Sequence, residues 1–368
     1  MELIDEDGNL FGAVNVIDAL VIVLALAVVV AGIAVVGVLG TGDDPEETAI
    51  ETQYATIDVG TQSIATAESI TAGDEMTTGD ERLSITDVYA TRTSSDTADV
   101  TVRTEVAASQ HENGTVTFND GQFATGQNVS IQTDEYDVTG SIDAVEANTT
   151  ALSTTETAVL FEDTVDRETA EQIRAGNESA VGNDTAATLE SASIHPIGDD
   201  QYRVTAGATL TTLQGEDDVR YGKHLVEPGA TIPFATDSYT LEPTILETGT
   251  TDEPGEATTT TVELDLNGLS DREASLFEPG LTETAGGETW ATVTDVDREP
   301  ATVVVEAEDG TLNEQTHPTK DDVTLTVELE TRETDLGTEF KGEKLRTGDT
   351  IYFDFGVTTV EERAWIVD

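Results

Sequence analysis

Residues 19–39 read ALVIVLALAVVVAGIAVVGVL, 21 positions with no charge, no proline and nothing more polar than alanine or glycine. At helical rise such a run spans roughly 32 Å, the thickness of a bilayer's hydrocarbon core. A helix buried in a soluble protein keeps a polar stripe, and this run has none. The stretch therefore predicts a transmembrane helix over residues 19–40. It divides the chain into an acidic, interfacial head of residues 1–18, a polar tether of residues 41–51 and a long region beyond.

That long region carries most of an extreme charge. The 368 residues hold 75 Asp and Glu against 16 Lys and Arg, a net charge of −59. The lysines are Lys223, Lys320, Lys341 and Lys344. Self-repulsion at this density destabilises a compact domain in dilute buffer, whereas in molar salt the Debye length falls to about 3 Å and screens it. With its abundant threonine, the composition reads as that of a halophile, and an archaeal one. Hydrophobic residues still make up 37%, with β-branched runs throughout, so the chain has a core to bury. No basic patch is present to neutralise phosphate, which argues against nucleic acid as a partner. Cysteine is missing, which removes disulfides, thiolate catalysis and thiolate zinc sites.

The head contains acids and no Lys or Arg, unlike the basic start of a cleaved secretory signal. Because the first basic residue is Arg82, charge bias cannot orient the apolar span. The length of the region after it favours a single-pass arrangement with the N-terminus cytoplasmic and residues 41–368 outside, since large domains translocate largely regardless of charge. Within the head, Leu3-Ile4-Asp5, Gly8-Asn9-Leu10-Phe11-Gly12 and Asn15-Val16-Ile17-Asp18-Ala19-Leu20 lead directly into the apolar stretch. This run, over residues 3–40, resembles the start of the family called domain of unknown function 4330. The resemblance implies a membrane-anchored protein of a kind found in bacteria and haloarchaea. It implies no reaction.

Beyond the tether two landmarks recur with one period. Ile70-Thr71-Ala72-Gly73, Ile173-Arg174-Ala175-Gly176 and Phe277-Glu278-Pro279-Gly280 form the first. The second is a glycine followed by apolar positions at fixed offsets: Gly126 with Val129 and Ile131, Gly229 with Ile232 and Phe234, Gly348 with Ile351 and Phe353. Gly73 and Gly176 stand 103 residues apart, as do Gly126 and Gly229. A further glycine precedes each copy of the second landmark: Gly121, Gly222 and Gly342. These glycines read as turn positions of positive φ. Apolar–polar alternation, as in Val323-Thr-Leu325-Thr-Val327-Glu-Leu329, predicts strands throughout. Asp166–Ile173 and Asp271–Leu276 predict short helices with aspartate N-caps, closed by Gly176 and Gly280. Residues 148–157 and 249–260, rich in Thr and Glu, read as linkers. The expected fold is mainly β (α+β): one N-terminal transmembrane helix followed by three tandem β-rich units, residues 52–147, 158–248 and 261–368, each with one short helix.

Chemistry is sparse in this pattern. His111, His195, His224 and His317 show no pairing at zinc-site spacing, so each reads as a surface or packing residue and no metal site is assigned. No nucleophile elbow or phosphate-cradling loop is present, and no cofactor is implied. Asp5-Glu6-Asp7-Gly8 and Gly42-Asp43-Asp44 resemble fragments of calcium loops without completing one. Asn113, Asn128, Asn148, Asn177 and Asn183 stand in glycosylation sequons, all beyond the apolar stretch. The expected function is therefore a non-enzymatic, membrane-anchored cell-surface protein. Its partners would be the lipid bilayer, through residues 19–39, and an envelope protein. The alternative is an oligomeric carrier of lipid or another apolar ligand, because a membrane helix before glycine-punctuated strands is also similar to lipid-transporting MCE domains.

Overall fold

The computed structural model describes residues 9–10, 14–15, 49–146, 149–215, 218–306 and 312–367. In the head, Asn9–Leu10 pairs antiparallel with Val14–Asn15. The apolar run of residues 19–39, the calcium-loop fragments and Asn148 lie outside the described residues.

From residue 49 onward the chain is built of antiparallel strands. In the first sheet Ala49–Ser63 is central, and the order across it is Glu75–Thr78, Glu81–Arg92, Thr97–Gln110, Ala49–Ser63, Asp137–Glu146, Asn128–Gln132. The second runs Glu178–Val181, Asp184–Gly198, Gln201–Gln214, Thr154–Val165, Thr244–Thr248. The third runs Thr282–Ala285, Glu288–Glu306, Leu312–Thr334, Glu256–Ser270, Thr359–Val367, Thr350–Asp354. Each sheet contributes most of one apolar cluster, and the alternation read from the sequence explains why. Val323, Leu325, Val327 and Leu329 are all buried on one face of their strand, and the exposed Glu328 points to the other.

Each sheet is pinned by the same two turns, six in all. At Gly73, Gly126, Gly176, Gly229, Gly280 and Gly348 the backbone takes φ between 81° and 102°. The glycine N–H then donates to a strand carbonyl, of Ile85, Ile142, Leu189, Ile245, Val293 and Ala364 respectively, at 2.7–2.8 Å. A β-carbon would be strained at that φ, so glycine recurs. Three short helices precede the first turn of each sheet: α1 (Ile64–Ser69), α2 (Arg167–Ala170) and α3 (Asp271–Ala274). Ser63, Asp166 and Ser270 cap them by accepting the N–H three residues on, and each helix buries one alanine. The expected cap Asp271 is displaced by Ser270, which forms a reciprocal capping box with Glu273.

The predicted layout of a membrane helix followed by three tandem units requires correction. The β-rich character stands, but among the described residues no helix is long and apolar enough to cross a membrane. The helices have 6, 4 and 4 residues. Residues 50–368, moreover, form one compact unit. The physical reason is that the sheets share their interiors. Val181, from the second sheet, belongs to the first apolar cluster, and Ala285, from the third, packs against the second. Arg92 of the first sheet is buried against the second, with its guanidinium on the Ala180 carbonyl and 2.6 Å from Asp237.

Segments expected to be loose are held as well. Arg103 Nε donates to the Thr149 carbonyl at 2.7 Å, and Leu152 N–H donates to Asp87 at 2.8 Å. The Ser191 hydroxyl donates to the Thr251 carbonyl at 2.9 Å. Gly207 lies under that same carbonyl, where a β-carbon would stand only 1.9 Å from the oxygen. Gly207→Ala must therefore push the segment off Ser191, and it is expected to cost about 1–3 kcal/mol of unfolding free energy. Chemical denaturation in molar salt measures this, and a variant as stable as wild type would contradict the tight approach.

Candidate functional site

The candidate site is built where a hairpin of the third sheet seats on the second. Strands Gly337–Phe340 and Glu343–Lys344 pair through Phe340↔Glu343, which leaves Lys341 and Gly342 as the two turn residues. Both take positive φ, 54° and 76°, as a type I′ hairpin demands. Such a turn favours Asn, Asp or Gly, so a lysine there persists because its surroundings hold it.

Those surroundings are buried. Lys341 is 7% exposed and Glu283 is 0% exposed. The Lys341 ammonium donates to Glu283 Oε1 at 2.9 Å and to the carbonyls of Pro196 at 2.9 Å and Tyr352 at 2.7 Å. Glu283 Oε1 also accepts the Asp354 N–H at 2.8 Å, and its Oε2 lies 2.8 Å from the same ammonium. Lys341 Nζ also stands 5.2 Å from the ring centres of Phe340 and Phe353. Burial pushes the Glu283 carboxyl up and the Lys341 ammonium down, and each charge opposes the shift of the other.

Beside this pair His195 and Trp290 lie with ring centres 4.1 Å apart. His195 Nδ1 and Trp290 Nε1 are both buried without a hydrogen-bond partner. Burial, reinforced by the charges of Lys341 and Arg203, pushes the imidazole down to about 3, so it is neutral at ordinary pH. Both rings line a cavity of about 480 Å³ whose walls include Ser193, Thr205, Glu330 and Arg332. Arg203 fastens the rim of this region by donating to the Lys341 carbonyl at 2.7 Å and to Glu343 at 2.5 Å.

An equivalent junction joins the first sheet to the second, and its differences are informative. The pairing Tyr221↔His224 places Gly222, φ 56°, where Lys341 stands in the third sheet. Ser179, opposite Ala187, holds the place of Glu283, opposite Ala291. Tyr89, opposite Thr101, holds the place of Ser193, opposite Thr205. At the first junction the Tyr89 hydroxyl donates to the Thr211 carbonyl at 2.8 Å and accepts the Gly222 N–H at 3.2 Å. There a phenol ring bridges the two sheets. At the second junction serine takes its place, and each junction holds a cavity, of about 550 Å³ at the first and about 480 Å³ at the second.

The residues singled out from the sequence fall elsewhere, His195 excepted. His111, His224 and His317 are half-buried and apart, and among the described residues no group of three or more His, Asp or Glu could hold a metal ion. Asn113, Asn128 and Asn183 are exposed. Asn177 is half-buried, with Oδ1 accepting the Arg174 N–H and the Tyr239 hydroxyl, both at 2.8 Å. Lys341, Glu283 and Trp290 escaped the sequence reading. One signal was present: a lysine stands at a turn position filled elsewhere by Asn119 and Gly222. Aligning Gly121, Gly222 and Gly342 hid it, because the pairings Phe118↔Gly121, Tyr221↔His224 and Phe340↔Glu343 put those glycines at three different places in the turn.

The chain matches the family model Domain of unknown function (DUF4330) over residues 1–117 and 239–363. No curated protein and no solved structure matches it.

Proposed function

The chain belongs to the DUF4330 family, and we propose that it is a non-enzymatic, membrane-anchored cell-surface protein of a halophilic archaeon. The observation that carries this reading is the uncharged run of residues 19–39, whose length and lack of any polar face suit lipid. The acid-rich composition supports a molar-salt solvent, in which self-repulsion among 75 carboxylates is screened. The chemistry of the junction supports a structural use of its ionisable groups. Glu283 and Lys341 are engaged with each other and with backbone, which leaves neither placed to exchange protons with a substrate. An apolar carrier finds less support, because the cavities at the two junctions are walled by charged side chains such as Arg103, Arg220, Glu330 and Arg332. The remaining role is attachment or interaction at the envelope, with residues 41–368 outside and an envelope protein as partner.

Protease added to intact cells in molar salt tests the address. Residues 41–368 are expected to be digested while the cells stay sealed. A full-length chain that survives until lysis would overturn both the orientation and the surface role.

A further inference from the structure

We propose that the cavity between the second and third sheets binds a neutral saccharide unit, seated on Trp290 and His195. This goes beyond the surface role and does not rest on it. The cavity of about 480 Å³ falls in the range of small-molecule sites, about 300–1,000 Å³. Its two orphaned nitrogens are the sign of a missing partner, since buried polar atoms are otherwise almost always hydrogen-bonded. His195 is 4% exposed, and its ring forms part of the cavity wall.

The polarity of the walls narrows the class. Trp290 Nε1 can only donate, so a cation with no acceptor leaves it unsatisfied. An anion is disfavoured too. Glu162, Glu253, Glu288, Glu330 and Glu339 face the cavity, while its cations are committed elsewhere. Arg332 donates to the carbonyls of Glu253, Pro254 and Gly255, each at 2.9 Å, and Lys341 is held by Glu283. A hydroxyl group both accepts and donates, so it satisfies Trp290 and either tautomer of neutral His195. A sugar carries several hydroxyls in fixed geometry, matching the carboxylates, Ser193 and Thr205. The first junction is an internal control. There a cavity of about 550 Å³ is present as well, Tyr89 bridges to Thr211 and Gly222, and Thr91 and Ala186 stand where His195 and Trp290 do, so no such pair of rings exists. The second junction has lost the phenol and gained the two rings.

The test uses the full chain in detergent and molar salt. Trp290 and Trp365 are the two tryptophans, so Trp365→Phe isolates the fluorescence of Trp290. D-glucose and N-acetyl-D-glucosamine are titrated, with tetramethylammonium chloride as the cationic comparison. A saturable change with at least one sugar and none with tetramethylammonium is expected. Ser193→Tyr, which puts a phenol ring on the wall of the cavity, should abolish it. Thr205→Val, nearly isosteric, should weaken binding about tenfold through loss of one hydrogen bond. No saturable response to either sugar would mean a cavity holding water only and would overturn the proposal. So would saturation by tetramethylammonium alone, or unchanged sugar affinity in a folded Ser193→Tyr chain. Should that variant fail to fold, unchanged affinity in Thr205→Val overturns it equally.

Discussion

Lys341→Met is expected to destabilise the unit of residues 50–368 by about 3–5 kcal/mol, the usual cost of stripping one partner from a buried ion pair. The methionine retains much of the packing on Phe340 and Phe353, so the loss reports mainly on Glu283. That carboxylate is 0% exposed and would keep only the Asp354 N–H. Glu283→Gln should cost a similar amount from the other side, because the Lys341 ammonium would then face only carbonyls and an amide. The decisive variant is the double change Lys341→Gly with Glu283→Ser, which installs the pair Gly222 and Ser179 already present at the first junction. It removes both desolvated charges at once, and glycine relieves the strain of a side chain at φ 54°. Measured against the single changes Lys341→Gly and Glu283→Ser, the double variant is expected to be markedly more stable than either, with a coupling energy above about 2 kcal/mol. Guanidinium is itself a salt, so urea denaturation at constant molar salt is the measurement. Additive losses in the double variant would show that the pair does not act as a unit and that the two junctions are not interchangeable.

The parts of this architecture that were legible in the sequence are those fixed by local geometry. A turn needing positive φ selects glycine wherever it occurs, so Gly73 and Gly126 and their counterparts stood out with a common spacing. A strand with one buried face must alternate, so Val323 to Leu329 announced itself. The site was illegible for the opposite reason. His195, Glu283, Trp290 and Lys341 are spread over three strands and a turn, and nothing in their spacing couples them. They meet because a turn of one sheet seats on its neighbour, and that docking leaves no period in the sequence. The same cause hid the single compact unit. Val181 and Ala285 read as ordinary strand residues of their own sheets, yet each packs against the core of the preceding one. Local patterns report which face of a strand is buried, and they are silent about whose core buries it.

The second large effect expected is a loss of stability in mild acid that depends on His195. In the folded chain burial and the neighbouring charges of Lys341 and Arg203 hold this imidazole down to about 3, against an ordinary value of 6.5. The unfolded chain therefore binds a proton that the native state refuses. Stability from this group is fully present above pH 6.5 and is lost as pH falls from there towards 3. One proton corresponds to about 1.4 kcal/mol per pH unit, so the loss is about 2 kcal/mol by pH 5 and about 4 kcal/mol by pH 3.5. Carboxylates also titrate at the lower end, and this chain has many, so the quantity to follow is a difference. His195→Gln keeps a neutral polar side chain of similar reach and cannot titrate. Unfolding free energies of wild type and variant, measured in molar salt from pH 8 to pH 4, should run parallel above about pH 7. Below about pH 6 the wild type should fall more steeply by one proton's slope. The carboxylates, and the Glu283–Lys341 pair with them, are common to both chains and cancel. Parallel curves across the whole range would mean that the imidazole takes up its proton in the folded state. The ring would then have access to solvent or to a carboxylate, and the buried, neutral His195 on which the junction is built would be wrong.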